Sequence, residues 1–217
     1  MNEYKDVCLS IDNLLSELGD VSLTLATKTV PKEVLMRLSC DYPQLVFGEN
    51  RVQELNDKWF DPPQKWKFIG RLQRNKVKYL PGKVSMIESV DSLELAMEIE
   101  RRFAKAGSRV DVLVEVNVGE AQKGGVSIGE VERFVSKLSE FEHIDCRGLM
   151  AVLPKEGAEI AAQRVGDLYR SLSPRYGLTV LSMGMSEDYQ LGIQNGATEV
   201  RIGSLVFGQR SAYGKNG

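Results

Sequence analysis

Two kinds of residue in this sequence could together hold a phosphorylated carbonyl compound. Lys28 closes the apolar stretch L-T-L-A-T-K at 23–28, and a lysine amine attacks carbonyl carbons to form a Schiff base. Ser186, Gly203 and Ser204 offer what a phosphate needs, since glycine lets a backbone N–H approach closely and serine adds a hydroxyl donor. Each residue also has an ordinary structural explanation, Lys28 as the cap of a strand and the others as turn formers.

Arg201 is a further candidate, because a guanidinium is always charged and only donates hydrogen bonds. Alternation along E-V-R-I-G at 199–203 places it on the same face as Gly203. It could form a structural ion pair with Glu199 or with a carboxylate on a neighbouring element. It could equally donate to an acceptor atom of a ligand. If that acceptor is a pyridine nitrogen, the arginine keeps the nitrogen unprotonated and the ring becomes a weaker electron sink.

These residues by themselves leave two ligand classes open. A lysine that forms an imine, a phosphate cradle and a donor to a pyridine nitrogen together describe a pyridoxal phosphate site. A barrel lysine with a phosphate site could also hold a sugar phosphate, as in aldolases that work through a Schiff base. Composition and spacing do not separate the two.

The elements that must position these residues are short apolar runs, each followed by a segment with helical spacing. Several runs are almost continuously apolar, such as V-D-V-L-V-E-V-N-V at 110–118, which is typical of strands buried on both faces of a parallel sheet. The eight runs are 21–29, 45–50, 66–70, 85–90, 110–118, 144–152, 179–186 and 199–207.

Eight alternating units form either a closed barrel or an open doubly wound sheet. An open sheet predicts a glycine fingerprint after the first strand, whereas T-K-T-V-P at 27–31 has no glycine, and the chain has no P-loop. We therefore predict an α/β fold with a single (β/α)8 TIM barrel as one domain over 1–217. An extra N-terminal helix within 1–20 should pack on the barrel. The carboxyl ends of the strands, with Lys28 and Asn50 among the residues there, should meet at one rim.

Bulk properties exclude several function classes. The formal net charge of −2 over 217 residues argues against a general nucleic-acid binder. No apolar run approaches the length of about 20 residues that spans a bilayer, and the N-terminus lacks the pattern of a secretory signal. The three cysteines have no paired spacing. These features predict a cytoplasmic protein without a metal site, a membrane partner or a nucleic-acid partner.

Six motifs, in order along nearly the whole chain, resemble the pyridoxal phosphate homeostasis proteins. These are single-domain barrels similar to the first domain of bacterial alanine racemases. The motifs are A-T-K-T at 26–29, F-G-E-N-R-V-Q-E at 47–54, W-K-F-I-G-R-L-Q-R-N-K at 66–76, R-G-L-M at 147–150, G-M-S-E-D at 184–188 and V-R-I-G-S at 200–204.

The resemblance implies that the cofactor is pyridoxal 5′-phosphate (PLP) and that Lys28 forms the internal aldimine with it. It implies that Asn50 lies beside the cofactor and that Arg201 faces the pyridine nitrogen. The residues implied to hold the phosphate are Ser186, Gly203 and Ser204. The sequence departs from the family's pattern at Lys67, where the family often has histidine. We expect this change to put a cation near the rim.

The resemblance leaves two functions, cofactor binding and amino-acid racemisation. Racemases of the similar fold use a second base, a tyrosine from another domain of a partner subunit. The chain ends shortly after the eighth strand, so we expect that domain to be absent, and Tyr189 is better explained by packing. We predict no catalytic residue and a PLP-binding protein of vitamin B6 and amino-acid homeostasis, with PLP-dependent apo-enzymes as recipients. The alternative is a low-activity PLP-dependent racemase.

Overall fold

A computed structural model describes residues 2–60, 65–119 and 124–208. Within these ranges strands and helices alternate along most of the chain. The strands are β1 (Ser22–Ala26), β2 (Val46–Glu49), β3 (Lys65–Phe68), β4 (Met86–Val90), β5 (Val110–Asn117), β6 (Val126–Ser127), β7 (Ile144–Ala151), β8 (Val180–Met183) and β9 (Glu199–Ile202). The helices are α1 (Tyr4–Leu18), α2 (Lys32–Asp41), α3 (Val52–Lys58), α4 (Leu93–Lys105), α5 (Val131–Leu138), α6 (Ala158–Tyr176), α7 (Tyr189–Gln194) and α8 (Ser204–Phe207). Two 3₁₀ helices span Arg74–Tyr79 and Ile128–Glu130.

The strands close into a parallel barrel. Their order is β4-β3-β2-β1-β9-β8-β7-β5, and a further pairing between β4 and β5 joins the two ends of this series. The two-residue strand β6 pairs with the end of β5 and lies outside the eight-stranded ring. The prediction of a TIM barrel preceded by a helix is therefore confirmed. That residues 1–217 make a single domain stays a prediction.

The helical segments pack on the barrel through the apolar positions that their spacing predicted. In α5 the buried residues are Val131, Phe134, Val135 and Leu138, and the Ser127 hydroxyl donates to Glu130 just before that helix. This serine begins a 3₁₀ turn, and α5 follows it. The α4 helix begins after Ser92, and its buried residues Leu95, Ala96, Ile99 and Phe103 recur at helical spacing.

The N-terminal helix α1 lies against the barrel's outer layer. One face is buried through Val7, Ile11, Leu14 and Leu18, which recur at the spacing of three and four residues that a helix gives to one face. The Asn2 side chain also donates a hydrogen bond to the Val206 carbonyl of α8, 3.1 Å away. The helix is thus tied to the element that follows the last barrel strand.

The buried residues fall into two groups, one outside the sheet and one inside the barrel. Most of the apolar core lies between the sheet and the helices, whereas Met86, Leu113 and Met150 form a separate small cluster. Met86 and Glu88 are two residues apart on β4, so their side chains share a face. The barrel interior therefore holds a charged side chain beside this apolar cluster.

In the described parts of the chain, no helix combines the length and the apolar character needed to cross a membrane.

The packing of α1 predicts a large difference between two substitutions that lie two residues apart, on opposite faces of the helix. Ile11→Ala should lower the free energy of unfolding by about 2–5 kcal/mol, because it leaves a cavity in a fully buried position. Leu9→Ala, at a side chain that is 59% exposed, should change it by less than about 0.5 kcal/mol. Urea unfolding followed by circular dichroism measures both. Equal losses would contradict the packing of α1 on the barrel.

Candidate functional site

The candidate residues lie at one end of the barrel because the strands are parallel and in register. Thr24 of β1 is the partner of Arg201 in β9, and Ala26 is the partner of Gly48 in β2. Lys28 follows β1 by two residues, just as Asn50 follows Gly48 by two residues. The carboxyl ends of β1, β2 and β9 thus present these side chains at one rim.

Lys28 lies in a turn just beyond β1, where it is half-buried. Within the described ranges its amine has no hydrogen-bond or ion-pair partner. The next residue, Thr29, has φ of 65°, which is rare for a β-branched residue. Such backbone persists only where the surroundings hold it.

A buried ion pair between Lys58 and Glu49 stabilises the backbone on either side of Lys28. The Lys58 ammonium donates to the Thr27 carbonyl at 2.8 Å and to the Glu49 carboxylate at 2.7 Å. The Thr27 hydroxyl donates to the same Glu49 oxygen at 2.6 Å, and the Thr29 N–H donates to Glu54 at 3.1 Å. The residues on both sides of the candidate lysine are therefore fixed by one cluster.

Opposing effects act on the two carboxyl groups of this cluster. Burial raises the pKa of Glu49, and it outweighs the lowering by the Lys58 and Thr27 hydrogen bonds. Burial also raises the pKa of Glu54, but the bonds from the Thr29 amide and from Lys58 outweigh it, so that the pKa is lowered overall. Glu54 therefore accepts from the Thr29 amide as a carboxylate.

Ser186 and the residues after β9 form a small cradle. The Ser186 hydroxyl accepts from the N–H of Gly203 at 3.3 Å and of Leu205 at 3.4 Å. A Cβ atom on Gly203 would lie 3.0 Å from the Ala26 carbonyl oxygen, so a glycine is what permits the close approach of β9 to β1. Two backbone donors and a hydroxyl thus converge, which is the donor set that a phosphate requires.

The last strand is shorter than predicted. We expected Gly203 and Ser204 within it, whereas β9 ends at Ile202 and Ser204 is the exposed first residue of α8. The φ of Gly203 is −132° and its ψ is −65°, so the chain turns there from strand to helix. The apolar run through 207 concealed this change, because a strand and a buried helical turn are equally apolar.

The backbone of Asn50 packs against Gly70, and its side chain is available for a hydrogen bond. A Cβ atom on Gly70 would lie 2.2 Å from the Asn50 carbonyl oxygen, so the ends of β2 and β3 touch through glycine. The side-chain amide of Asn50 has no hydrogen-bond partner in the part of the chain that the structure describes.

Arg201 points into the barrel, where it is 5% exposed. One terminal nitrogen donates to the carbonyl of Ser182 at 2.9 Å and to its hydroxyl at 2.6 Å. The other donates to the Ala151 carbonyl at 2.9 Å. A guanidinium has five N–H groups, so two are left for another acceptor. Its nearest carboxylate is Glu88, 3.8 Å away, and the ion pair considered with Glu199 is not formed.

Glu199 pairs instead with Lys67. The Lys67 ammonium contacts the Glu199 carboxylate directly and lies 3.6 Å from Glu88. Thr24 donates to Glu199 at 3.1 Å, and Ser182 donates to Glu88 at 2.7 Å. The contacts of Lys67 with Glu199 and of Ser182 with Glu88 join strands that are not neighbours in the sheet, so they cross the interior. The expectation of a cation near the rim was wrong, because the alternation of β3 turns Lys67 into the barrel.

The two interior carboxyl groups differ in their affinity for a proton. Burial raises the pKa of Glu88 to about 8, and the negative charge of Glu199 adds to the effect. Burial also raises the pKa of Glu199, but the Lys67 charge and the hydrogen bonds from Glu88, Lys67 and Thr24 outweigh it, so that this pKa is lowered. The Glu88 Oε1 atom accepts no hydrogen bond. A protonated carboxyl resolves this, since it can donate through that oxygen.

Glu115 near the mouth of the barrel is a further perturbed carboxyl. Burial raises the pKa of Glu115, and the charge of Asp91 adds to this, while the charges of Arg201 and Arg71 oppose it. Sequence reasoning did not single out this residue or Glu88, and it considered Glu199 only as an ion-pair partner of Arg201. The signal available was alternation, because charged residues inside otherwise apolar strands occupy the barrel-facing positions.

Tyr189 is hydrogen-bonded to the N-terminal helix. Its hydroxyl donates to Glu17 of α1 at 2.8 Å. This supports the packing explanation over a role as a second base. Among the residues that the structure describes, no group of three or more His, Cys, Asp or Glu could hold a metal ion.

Comparison with known proteins identifies the family. A family model described as "Alanine racemase, N-terminal domain" matches residues 63–211. A pyridoxal phosphate homeostasis protein of Aquifex aeolicus is 43% identical over 196 residues, which are 85% of each chain. A relative of the same name from Deinococcus radiodurans is 37% identical over 190 residues, 87% of this chain and 90% of that one. The chain belongs to the pyridoxal phosphate homeostasis protein family.

Solved structures agree with this membership and with the predicted resemblance. PipY of Synechococcus elongatus without PLP matches with a TM-score of 0.86 and 28% identity, over 93% of this chain and 100% of that one. The same protein with PLP bound matches with a TM-score of 0.81. Alanine racemase of Clostridium difficile in complex with cycloserine is 17% identical, with a TM-score of 0.79, and is similar over 97% of this chain but 60% of its own. That likeness shows a shared fold.

The raised pKa of Glu88 predicts a pH-dependent stability. Between the ordinary glutamate value of about 4.3 and the folded value of about 8, the native state binds more protons than the unfolded state. The contribution of Glu88 to the free energy of unfolding therefore falls as pH rises through this window, by at most about 1.4 kcal/mol per pH unit. It becomes constant above the folded pKa.

Glu88→Gln removes this titration, so the variant should gain stability relative to wild type as pH is raised from about 5 to about 8. Chemical unfolding at several pH values measures the difference. Glu94→Gln, at an exposed glutamate of α4, controls for the loss of one carboxylate from the chain. Parallel curves for wild type and Glu88→Gln would contradict the assignment.

Proposed function

We propose that this protein binds PLP reversibly as a Schiff base with Lys28, and that it does so in the cytoplasm. The observation that carries the proposal is an amine at the barrel rim that has no partner among the described residues, on a backbone fixed from both sides. A free amine on a rigid turn is suited to attack on an aldehyde, because little reorganisation is needed.

The remaining candidate residues have the hydrogen-bond donors that PLP requires. Ser186, Gly203 and Leu205 offer one hydroxyl and two amide donors for the phosphate, and Ser204 begins α8 beside them. Arg201 keeps two N–H groups for the pyridine nitrogen, and the free amide of Asn50 lies on the rim. When bound, PLP would supply an aldehyde for the lysine and a ring that stabilises negative charge.

We further propose that binding, not turnover, is the function, and that PLP-dependent apo-enzymes receive the cofactor. Racemisation needs a second base opposite the lysine, and the Tyr189 hydroxyl is engaged by Glu17. An arginine at the pyridine nitrogen disfavours the carbanionic chemistry of efficient catalysis. A relative of this family, PipY, has been solved both with and without PLP, which supports reversible loading here.

Loss of the Lys28 amine should abolish covalent attachment. Wild-type protein mixed with PLP should become yellow, and borohydride should fix the cofactor on the peptide containing Lys28. Lys28→Ala should do neither, because no other amine lies on that turn. Lys78→Ala, at an exposed lysine, is the matched control and should behave as wild type. Absorbance and peptide mass spectrometry measure both.

Two results would overturn parts of the proposal. A wild-type protein that ignores PLP would favour the sugar-phosphate aldolase class. Substantial turnover of D- or L-alanine by the wild type would favour the racemase.

Loss of the Ser186 hydroxyl should weaken PLP binding through the phosphate alone. Ser186→Ala should lower the affinity for PLP by about tenfold or more, as expected for a hydrogen bond to a charged group. The affinity for pyridoxal, which has no phosphate, should stay unchanged. Ser171→Ala, at an exposed serine of α6, is the control. Equal losses for both ligands would show that Ser186 does not contact the phosphate.

A further inference from the structure

The Arg201 guanidinium is held from behind by groups that belong to other strands. Its three hydrogen bonds end on Ser182 of β8 and on the Ala151 carbonyl of β7. Because two of its nitrogens are bound at 2.6–2.9 Å, the plane of the guanidinium is fixed. The orientation of the two remaining N–H groups is therefore set before a ligand arrives.

The Ser182 hydroxyl is the adjustable member of this arrangement. It accepts from Arg201 at 2.6 Å and donates to Glu88 Oε2 at 2.7 Å. A hydroxyl has one proton, so donation to Glu88 turns its lone pairs toward the arginine. The other acceptor within reach, Glu199 Oε1, is farther away at 3.5 Å.

Lys67 gives the carboxyl groups of Glu88 and Glu199 different roles, because its ammonium hydrogen-bonds to Glu199 and lies farther from Glu88. Glu199 lies two residues before Arg201 on the same strand and could attract its guanidinium. The Lys67 ammonium occupies Glu199 and lies 3.6 Å from Glu88, so the arginine is left with Ser182 and a distant Glu88. All these side chains are buried, where an unpaired charge is costly and pairing is correspondingly selective.

We propose that Ser182, with Glu88 behind it, is a positioning residue that aims the free N–H groups of Arg201 at the ring nitrogen of bound PLP. This rests on the proposed function of the site. In this proposal Ser182 and Glu88 do not contact the ligand, and only Arg201 does. Its effect should therefore depend on a nitrogen in the ring and should be independent of the aldehyde and the phosphate.

The test compares PLP with its deaza analogue, in which a CH group replaces the ring nitrogen while the aldehyde and phosphate are kept. Wild-type protein should bind PLP about tenfold more tightly, the value of one hydrogen bond from a charged donor. Ser182→Ala should reduce the affinity for PLP by about five- to tenfold and the affinity for the analogue by less than about twofold. Equilibrium titration by absorbance measures all four affinities.

Thr24→Val is the matched control. Thr24 is buried in the same interior, is the strand partner of Arg201 and donates to Glu199, yet among the described residues its side chain forms no hydrogen bond with Arg201. Its substitution should leave the ratio of the two affinities at the wild-type value. A fall in the ratio equal to that of Ser182→Ala would overturn the proposal, since any disturbance of the interior would then suffice.

A second pair of variants tests the same point if Ser182→Ala does not fold. Glu88→Leu removes the acceptor of the Ser182 proton and should lower the ratio, whereas Glu88→Gln keeps an acceptor oxygen and should retain it. A ratio that Glu88→Leu leaves unchanged would overturn the positioning role. If wild type binds PLP and the analogue equally, the ring-nitrogen contact of Arg201 in the proposed function fails first. If wild type discriminates and Ser182→Ala discriminates equally, the further inference alone fails.

Discussion

Closure of the parallel sheet is the constraint on which the rest of this structure depends. Once β4 pairs with β5, the ends of all eight strands lie on two rims and every second side chain enters one confined interior. Lys28 and Ser186 are far apart along the chain, and the shared rim is what brings them to the same end. Arg201 reaches the Ala151 carbonyl for the same reason, because β7 and β9 both face that interior.

Closure of the barrel also determines which side chains fill its interior, and here several of them are charged. A barrel interior is commonly packed with branched apolar side chains, and here Met86, Leu113 and Met150 form such a cluster. In the same interior, Lys67 and Arg201 share the space with Glu88 and Glu199. Charges buried together must balance one another, so each of these residues determines which partner the others can take. Such a network specifies one arrangement more than it adds stability.

The same architecture holds the candidate residues and their backbone donors in fixed positions. A fixed turn, a cradle of donors and a positioned guanidinium are all means of binding, and each depends on backbone or buried pairs. The chain shares its fold with an alanine racemase over 97% of its own length and 60% of that chain. The tyrosine nearest in sequence to the cradle donates to Glu17 of α1. Function is thus carried by the site and not by the fold.

Periodicity along the chain predicted the barrel, the N-terminal helix and the positions of candidate residues just after the strands. Apolar runs alternating with helical spacing specify strands and helices locally, and parallel strands require a common rim. Only the tertiary structure decided the partners of the charged residues. From the sequence, Glu199 was a possible ion-pair partner of Arg201, and Lys67 was expected near the rim. Both expectations failed because spacing within one strand does not reveal which strand lies across the barrel. The turn at Gly203 and the ion pair between Lys58 and Glu49 were also not predictable from the sequence, since both depend on contacts between separate elements. Local pattern fixes which face a side chain takes, and closure fixes what it meets there.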